Sequence, residues 1–406
     1  MNPNLNGSTT VSELKTLLLN RDANFWPELV KQSAAATTFS QLIALSTIRK
    51  KAQKIALNGF SMPPTEPIRI GLVGGSTLFP ISDLVEHLMN VFIGDVQIFS
   101  GEYNNYRSEI LDESSALYEF RPDFVILLPD EQSCKYTGIL NDPREIIVAE
   151  VSRVSSELLQ LCSVIRDRAE AEILLCNFVL PSANDLGPIQ AKSLASEWNF
   201  KKAVNLELGT NAPNYVHICD LEFIAYRLGG LIAKDDRSWF ESKQVYSPSL
   251  QVALAGEITH TVKALRTTPK KVLVLDLDNT LWGGVIGDDG IEGIEIGDTS
   301  PRGEAFKAFQ LYILTLTQRG VILAVCSKND FDNAIQPFRQ HPEMVLREEH
   351  FVSFKANWEP KGQNLIEIAN ELNLGLDSFI FVDDNPAEVE HVRQFAPEVT
   401  GITLGY

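Results

Sequence analysis

The sequence has few of the features that mark secreted, membrane-spanning or disulfide-stabilised proteins. Its five cysteines are odd in number and contain no CxxC pair, which argues against a disulfide framework or a zinc site. No apolar stretch approaches the length that crosses a membrane, and the polar start MNPNLNGSTT lacks the pattern of a signal peptide. These absences predict a cytoplasmic protein with reduced thiols and no membrane partner.

Positive charge is also scarce, with 35 lysine and arginine residues against 53 aspartate and glutamate residues and a formal net charge of −18. This balance disfavours nonspecific binding of nucleic acid, so no nucleic-acid partner is expected. An anionic substrate must then meet positive charge at a few local positions. The hydrophobic content of 44% is ordinary for a folded protein, and 406 residues suit two or three domains.

One apolar run, Val272–Leu275, ends in Asp-Leu-Asp-Asn-Thr and is the most informative stretch of the sequence. A continuous apolar run is typical of a buried parallel strand. Because side chains alternate along an extended chain, Asp276 and Asp278 point to the same side. Open α/β sheets bind ligands at the carboxyl ends of their strands. The pair can hold a divalent cation, or can act as a nucleophile and a proton shuttle.

Two later apolar runs also end in polar residues. Residues 321–326 are followed by Ser-Lys-Asn, and residues 379–382 are followed by Asp-Asp-Asn. Between these runs lies Lys361, at the expected start of a helix, with Lys355 as the competing lysine. We expect all these strand ends to meet at one edge of a sheet.

The order of these elements resembles the haloacid dehalogenase (HAD) superfamily, whose members transfer phosphoryl groups through an aspartyl phosphate. The resemblance implies that Asp276 is the nucleophile and that Asp278 protonates the leaving group and later activates water. It also implies a Mg²⁺ ion that is held by Asp276, the backbone carbonyl of Asp278 and Asp383. Asp384 would bind this ion through water or orient its other ligands. The residues expected to contact substrate or its loops are Thr280, Ser327, Lys328, Asn329 and Lys361.

The segment after the first motif is short. Residues 282–290 contain several glycines and an Asp-Gly pair, which predict a small hairpin flap. Much of the chain before the second strand is expected to be helix, at 303–319, so a large cap domain does not fit. A site without a large cap suits a large substrate or a docked protein.

Residues 67–245 also alternate strands with helices and predict a further α/β unit. The turn Gly-Gly-Ser, which ends at Ser76, resembles the first block of SGNH/GDSL hydrolases, where the serine is the nucleophile. That family carries a late Asp-x-x-His, whereas this chain has Phe223 three residues after Asp220. Because phenylalanine cannot act as a general base, we expect an SGNH-like domain without catalysis.

The predicted fold class is α/β, with two three-layer domains: a degenerate SGNH-like domain and a cap-less HAD domain with a Rossmann-like parallel sheet. Residues 1–65 are expected to form an N-terminal helical segment that ends near the Pro-Pro pair at 63–64. The SGNH-like domain covers 66–245, a connecting helix or linker covers 246–269, and the HAD-like catalytic domain covers 270–406.

Three further stretches extend the resemblance: GEYNNYRSEIL at 101–111, AVCSKN at 324–329 and NWEPK at 357–361. Together with the domain order, they resemble FkbH-like proteins of polyketide biosynthesis (HAD subfamily IIIC) over about residues 67–406. The resemblance implies transfer of the glyceryl group of 1,3-bisphosphoglycerate, with dephosphorylation, to a phosphopantetheinylated acyl carrier protein as a thioester. The alternative is a Mg²⁺-dependent phosphatase acting on a small phosphorylated metabolite or phosphoprotein. A carrier-binding scaffold without catalysis is a third hypothesis.

Thioester formation needs a thiol, and the resemblance to FkbH-like proteins implies that glycerate passes through an enzyme cysteine. Cys326 is the only cysteine beside a HAD motif and is therefore the expected acyl carrier. Nearby Mg²⁺ and lysines would lower its pKa and increase the thiolate fraction. Strand alternation supports the opposite interpretation, with the Cys326 side chain in the core.

Overall fold

The computed structural model describes residues 6–55, 67–184 and 186–405 of the chain. They form two compact units that divide between Leu265 and Arg266. The expected boundary at the Pro-Pro pair lies outside the described residues. No helix in the described part of the chain combines the length and the apolar character that crossing a membrane requires.

The first unit opens with the helices α1 (Asn6–Leu19), α2 (Phe25–Ala35) and α3 (Phe39–Lys54). Helix α3 begins at a capping box, in which the Thr38 hydroxyl accepts from the backbone N–H of Gln41 and the Gln41 side chain accepts from the backbone N–H of Thr38. Leu14 and Leu29 share an apolar cluster with Val91 of the next helix. The three helices therefore pack against the α/β part of the same unit.

A five-stranded parallel sheet forms the centre of the first unit. Its strands are β1 (Ile68–Gly74), β2 (Val96–Ser100), β3 (Phe124–Leu128), β4 (Glu172–Cys176) and β5 (Val216–Cys219), in the order β2-β1-β3-β4-β5. Its helices are α4 (Ile81–Phe92), α5 (Tyr106–Leu111), α6 (Ala116–Glu119), α7 (Arg144–Ala169), α8 (Glu197–Asn211), α9 (Leu221–Leu228), α10 (Gly230–Ala233), α11 (Asp236–Ser242) and α12 (Pro248–Arg266). Neighbouring residues of β1 enter different apolar clusters, Leu72 in one and Val73 in the other. Both faces of the sheet are thus covered, as in a three-layer domain.

The sequence predicts a connecting helix or linker at 246–269, and the structure places helix α12 there. Leu250, Leu254 and Ile258 of this helix are fully buried in the core of the first unit. A helix that buries an apolar face in this way is part of a domain rather than a loose connection. The domain limits stay predictions.

The second unit contains another five-stranded parallel sheet. Its strands are β6 (Val272–Leu275), β7 (Ile322–Ser327), β8 (Phe351–Ala356), β9 (Phe379–Asp383) and β10 (Thr400–Thr403), in the order β10-β9-β6-β7-β8. Its helices are α13 (Ile286–Gly293), α14 (Pro301–Gln318), α15 (Phe331–Gln340), α16 (Lys361–Leu372) and α17 (Pro386–Phe395). Val274 and Leu275 of the central strand β6 enter different apolar clusters. The predicted α/β fold class, with two parallel-sheet domains, is confirmed.

The register of the second sheet aligns the polar residues that follow its strands. Leu275 of β6 pairs with Val382 of β9. The next residues are Asp276 and Asp383, and the backbone N–H of Asp276 donates to the carbonyl of Val382 at 2.9 Å. The two acids therefore stand side by side at the carboxyl edge of the sheet.

The segment at 282–290 is not the hairpin that its glycines predict. Gly283 forms a short bridge with Glu295, and helix α13 begins soon after it. Asp289 explains the difference, because its Oδ2 accepts from the backbone N–H of Val285 at 2.8 Å and stabilises the helix start. Gly284 has a φ of +94°, and a Cβ there would lie 2.6 Å from Asp289 Oδ2.

Candidate active site

Asp276 follows the central strand of the second unit and is almost fully buried, with 6% of its surface exposed. Its Oδ1 lies 2.8 Å from the ammonium of Lys361, and the Ser327 hydroxyl donates a hydrogen bond to its carboxylate. Burial raises the pKa of Asp276, while Lys361 and Ser327 oppose the rise by stabilising the ionised form. The carboxylate is thus held in one orientation, as an oxygen nucleophile requires.

Lys361 is the cation that the structure brings to Asp276. It is 3% exposed at the start of α16, and its Nζ also lies 2.5 Å from Asp383 Oδ2. Burial disfavours the charged ammonium, but the two carboxylates outweigh it and raise the pKa of Lys361 above its ordinary value. The competing Lys355 pairs instead with Glu371 at 2.5 Å. Lys361 is therefore the lysine placed to meet an anion at this site.

Three carboxylates converge beside Lys361. Oxygen atoms of Asp276, Asp383 and Asp384 lie within 4.8 Å of one another. Burial, together with the neighbouring acids, raises the pKa of both Asp383 and Asp384. The cluster therefore carries more negative charge than one lysine offsets. Carboxylate oxygens are the ligands that hard divalent cations prefer, so these three residues could hold such a cation.

The Asp278 side chain is oriented by a separate set of hydrogen bonds. Its Oδ1 accepts from the indole Nε1 of Trp282 at 3.0 Å and from the backbone N–H of Ile286 at 2.9 Å. Its Oδ2 accepts from Asn329 Nδ2 at 2.7 Å. Both oxygens are thus fixed, as a group that transfers protons requires. The sequence interpretation missed Trp282, although a spacing of four residues brings it close to Asp278 in a tight turn.

Two residues expected to contact substrate or its loops have other surroundings. Thr280 is fully buried, and its hydroxyl has no hydrogen-bond partner among the described residues. Asn279 makes the loop contact expected of Thr280, because its Oδ1 accepts from the backbone N–H of Gly284 at 3.1 Å. Asn279 adopts a left-handed backbone with a φ of +54°, which asparagine tolerates better than threonine.

Lys328 is the second of these residues. Its ammonium pairs with the carboxylate of Glu388 at 2.6 Å.

The structure does not favour the expected reactive thiol at Cys326, which stays an untested prediction. Cys326 is fully buried in an apolar cluster with Leu365, and its Sγ donates to the carbonyl oxygen of Lys361 at 3.7 Å. Burial raises the pKa of Cys326 to about 12, although Lys361 opposes the rise. Alternation along β7 is the reason, because Ser327 faces Asp276 and the preceding side chain must face the other way. Such a thiol forms little thiolate.

In the first unit, the residues at the hydrolase-like positions have structural partners. Asp220 accepts from the backbone N–H of Phe223 at 3.1 Å, which caps α9, and from Asn177 Nδ2 at 2.8 Å. His217 pairs with Glu172 at 2.8 Å. These contacts leave neither residue arranged as a base for a serine nucleophile. The absence of hydrolase catalysis stays a prediction that this geometry favours.

A groove of about 540 Å³ opens near the carboxyl ends of β4 and β5. Its walls are mainly apolar and include Trp198, Phe223, Tyr226 and Leu231. Concave, mainly apolar surfaces are typical of binding sites. The sequence interpretation did not find this groove, because Trp198 of α8 and the aromatic residues Phe223 and Tyr226 of α9 belong to different helices.

Comparisons with known proteins cover both units. The model of the FkbH N-terminal domain family matches residues 91–263. The N-terminal part of the protein BF1531 from Bacteroides fragilis, which contains a phosphatase domain and was crystallised in complex with Mg, has a similar structure. The TM-score is 0.69, with 29% identity over 84% of this chain and 90% of that chain. Comparison with curated proteins gives no match.

Two other solved structures show weaker likenesses. The HAD family enzyme BT-2542 from Bacteroides thetaiotaomicron, in complex with magnesium and inorganic phosphate, covers 33% of this chain and 94% of its own, at 12% identity and a TM-score of 0.25. The salicylyl-acyltransferase SsfX3 from a tetracycline biosynthetic pathway covers 50% of this chain and 56% of its own, at 14% identity and a TM-score of 0.30. At these scores neither likeness supports a functional argument. The chain is thus similar to the FkbH N-terminal domain family over residues 91–263 and, over most of its length, to a Bacteroides fragilis protein that contains a phosphatase domain.

Proposed function

We propose that this protein removes phosphate from a glyceryl group and delivers that group to an acyl carrier protein as a thioester. The FkbH family match and the likeness to a phosphatase-domain protein support the coarser statement, a HAD phosphatase-type enzyme with a role in acyl transfer. The choice of 1,3-bisphosphoglycerate as donor and of a phosphopantetheinylated carrier as acceptor rests on the sequence resemblance. The observation that carries the phosphoryl chemistry is the buried set of Asp276, Lys361 and Asp383.

The cofactor of the proposed reaction is Mg²⁺, with Asp276, Asp383 and Asp384 as its side-chain ligands. Three carboxylates against one lysine leave negative charge that a divalent cation would neutralise. The similar Bacteroides fragilis protein was crystallised with Mg. When bound, the ion would screen the charge of a phosphoryl group from the attacking carboxylate. The resemblance adds the backbone carbonyl of Asp278 as a further ligand.

In the dephosphorylation, an Asp276 oxygen forms a bond to phosphorus while the bond from phosphorus to the C3 oxygen breaks. Asp278 gives a proton to that leaving oxygen. Water then attacks the aspartyl phosphate and passes a proton to Asp278, which releases inorganic phosphate and restores the Asp276 carboxylate. Lys361 and Ser327 stabilise the negative charge of the phosphoryl oxygens in both steps.

Thioester formation is a separate step at the acyl carbon of the donor. The thiol sulfur bonds to this carbon, the bond to the 1-phosphate oxygen breaks, and the thiol proton leaves to solvent. Because Cys326 is buried and its pKa is raised to about 12, we assign the attack to the pantetheine thiol of the carrier. The phosphate that remains for Asp276 is then the 3-phosphate.

The alternative is a Mg²⁺-dependent phosphatase acting on a small phosphorylated metabolite or phosphoprotein. One observation favours this alternative. The resemblance implies an enzyme cysteine that carries the acyl group, whereas all five cysteines of the chain are buried and none offers an exposed thiol.

Incubation with 1,3-bisphosphoglycerate, Mg²⁺ and a phosphopantetheinylated carrier protein separates the two functions. Intact-mass spectrometry of the carrier should show a glyceryl thioester with the wild type. With Asp276→Asn it should show at most a 3-phosphoglyceryl thioester, because a carboxamide cannot form the aspartyl phosphate. Free phosphate without any adduct on the carrier would refute the glyceryl transfer and favour the plain phosphatase.

A further inference from the structure

Three exposed apolar side chains lie at the edge of the second sheet that carries Asp276. Val285, Phe331 and Trp358 are 38%, 45% and 69% exposed. They follow the strands β6, β7 and β8, respectively, and are named the apolar rim below. Apolar side chains that remain exposed together beside a site are typical of a binding surface.

The aromatic members of the apolar rim are held in place. The Trp358 Nε1 donates to Asp330 Oδ1 at 3.1 Å. Phe331, the next residue after Asp330, packs edge-on against Phe354 with ring centroids 5.6 Å apart. Because these aromatic side chains are already ordered, they lose little further conformational entropy when a ligand packs on them.

Residues adjacent to the apolar rim in the sequence donate hydrogen bonds to Asp278, the residue that would protonate the leaving oxygen. Asn329, two residues before Phe331, donates to Asp278 Oδ2 at 2.7 Å. The backbone N–H of Ile286, next to Val285, donates to Asp278 Oδ1 at 2.9 Å. A substrate whose leaving oxygen lies at Asp278 would therefore bring the part beyond that oxygen close to the apolar rim.

The chemistry of the apolar rim favours an uncharged, partly apolar group at this place. Free phosphorylated glycerate has hydroxyl and carboxylate groups beyond its phosphoester and would gain little from apolar contact. The carboxylates of Asp330 and Glu359, near Trp358 in the fold and in the sequence, further disfavour an anion there. A pantetheine arm is uncharged and carries methyl and methylene groups that can pack on these side chains.

We propose that Asp276 acts on a 3-phosphoglyceryl group that is already bound as a thioester to the pantetheine arm, and that the apolar rim holds this arm. The bond between phosphorus and the C3 oxygen breaks, that oxygen keeps a proton as a hydroxyl, and the thioester bond stays intact. This inference rests on the proposed function and gives its order: thioester formation first, phosphate removal second.

Two synthetic substrates test this inference, S-(3-phosphoglyceryl)pantetheine and the methyl thioester of 3-phosphoglycerate, because they differ only in the arm. Phosphate release in the presence of Mg²⁺ gives kcat/KM for each, and the ratio of the two values measures recognition of the arm. The wild type should prefer the pantetheine substrate, and Trp358→Ala should lower the ratio about tenfold. Trp358→Phe should keep most of the ratio, because it retains an aromatic face. Tyr312→Ala, which removes an exposed aromatic side chain on α14, should leave the ratio unchanged.

A wild-type ratio near one would overturn the role of the apolar rim, and so would an equal loss of kcat/KM for both substrates in Trp358→Ala. These results would leave the proposed function standing. Hydrolysis of p-nitrophenyl phosphate but of neither thioester would overturn the proposed function and the inference together.

Discussion

Replacing Lys361 by methionine should reduce both stability and activity, because this ammonium lies between two buried carboxylates. Its Nζ is 2.8 Å from Asp276 Oδ1 and 2.5 Å from Asp383 Oδ2. At an effective dielectric constant of about 20, Coulomb's law gives about 6 kcal/mol of attraction for charges this close. Desolvation offsets much of this attraction, and removing one partner of a buried pair costs about 3–5 kcal/mol. We expect Lys361→Met to lose a similar amount in free energy of unfolding.

Urea unfolding followed by circular dichroism measures this loss, both in metal-free buffer and with Mg²⁺. Lys355→Met is the matched control, since Lys355 pairs with Glu371 where both side chains are partly exposed, and such a pair contributes under about 1 kcal/mol. Mg²⁺ should restore more stability to Lys361→Met than to the wild type, because the ion replaces part of the lost positive charge.

The same variant should release phosphate about 10²- to 10³-fold more slowly than the wild type, because Lys361 stabilises charge on the phosphoryl oxygens. A Lys361→Met protein as stable and as active as Lys355→Met would refute this account. Loss of stability with full activity would leave Lys361 a purely structural residue.

Three other predictions concern residues around and outside the site. Asn329→Ala removes the 2.7 Å hydrogen bond to Asp278 and should lower kcat about tenfold with little change in KM, as measured by steady-state phosphate release; an unchanged kcat would contradict the positioning role. Cys326→Ser should still load the carrier, because the thiol is buried; a folded variant that forms no carrier adduct in intact-mass spectra would restore Cys326 as the acyl carrier. Burial lowers the pKa of His87, which lies 3.1 Å from the Ser33 hydroxyl, to about 3. Since this value lies below that of an unfolded histidine, the contribution of His87 to stability is complete above about pH 6.5 and is lost as the pH falls toward 3, by about 2 kcal/mol at pH 5. Urea unfolding at pH 7 and pH 5 should show a larger drop for the wild type than for His87→Gln, and equal drops would argue against this linkage.

The strands of the second unit could be predicted because strands in the middle layer of a three-layer fold are apolar along their whole length. A parallel strand with helices on both faces needs apolar residues throughout, and the runs at 272–275, 321–326 and 379–382 meet that need. The residues after these runs then had to converge, because parallel strands end at the same edge. Asp276 and Asp383 are together in the structure for this reason.

Side-chain direction in the turns could not be predicted from the same pattern. Lys355 and Lys361 are close in sequence, and Lys361 could be preferred only because a helix was expected to begin there, not from its side-chain direction. Asn279 rather than Thr280 contacts the flap segment, because the turn takes a left-handed backbone at Asn279. At Cys326 the side chain follows the simple rule of alternation into the core, and proximity to charged groups does not lower its pKa.

The burial of every cysteine has a consequence for chemical selectivity. An acyl phosphate donor acylates thiolates and neutral amines wherever it finds them. Here the thiols are out of reach, and the lysine beside the nucleophile is kept as an ammonium by Asp276 and Asp383, a form that is not nucleophilic. None of these groups near Asp276 competes for the acyl group of the proposed donor, so the acceptor thiol has to come from the carrier.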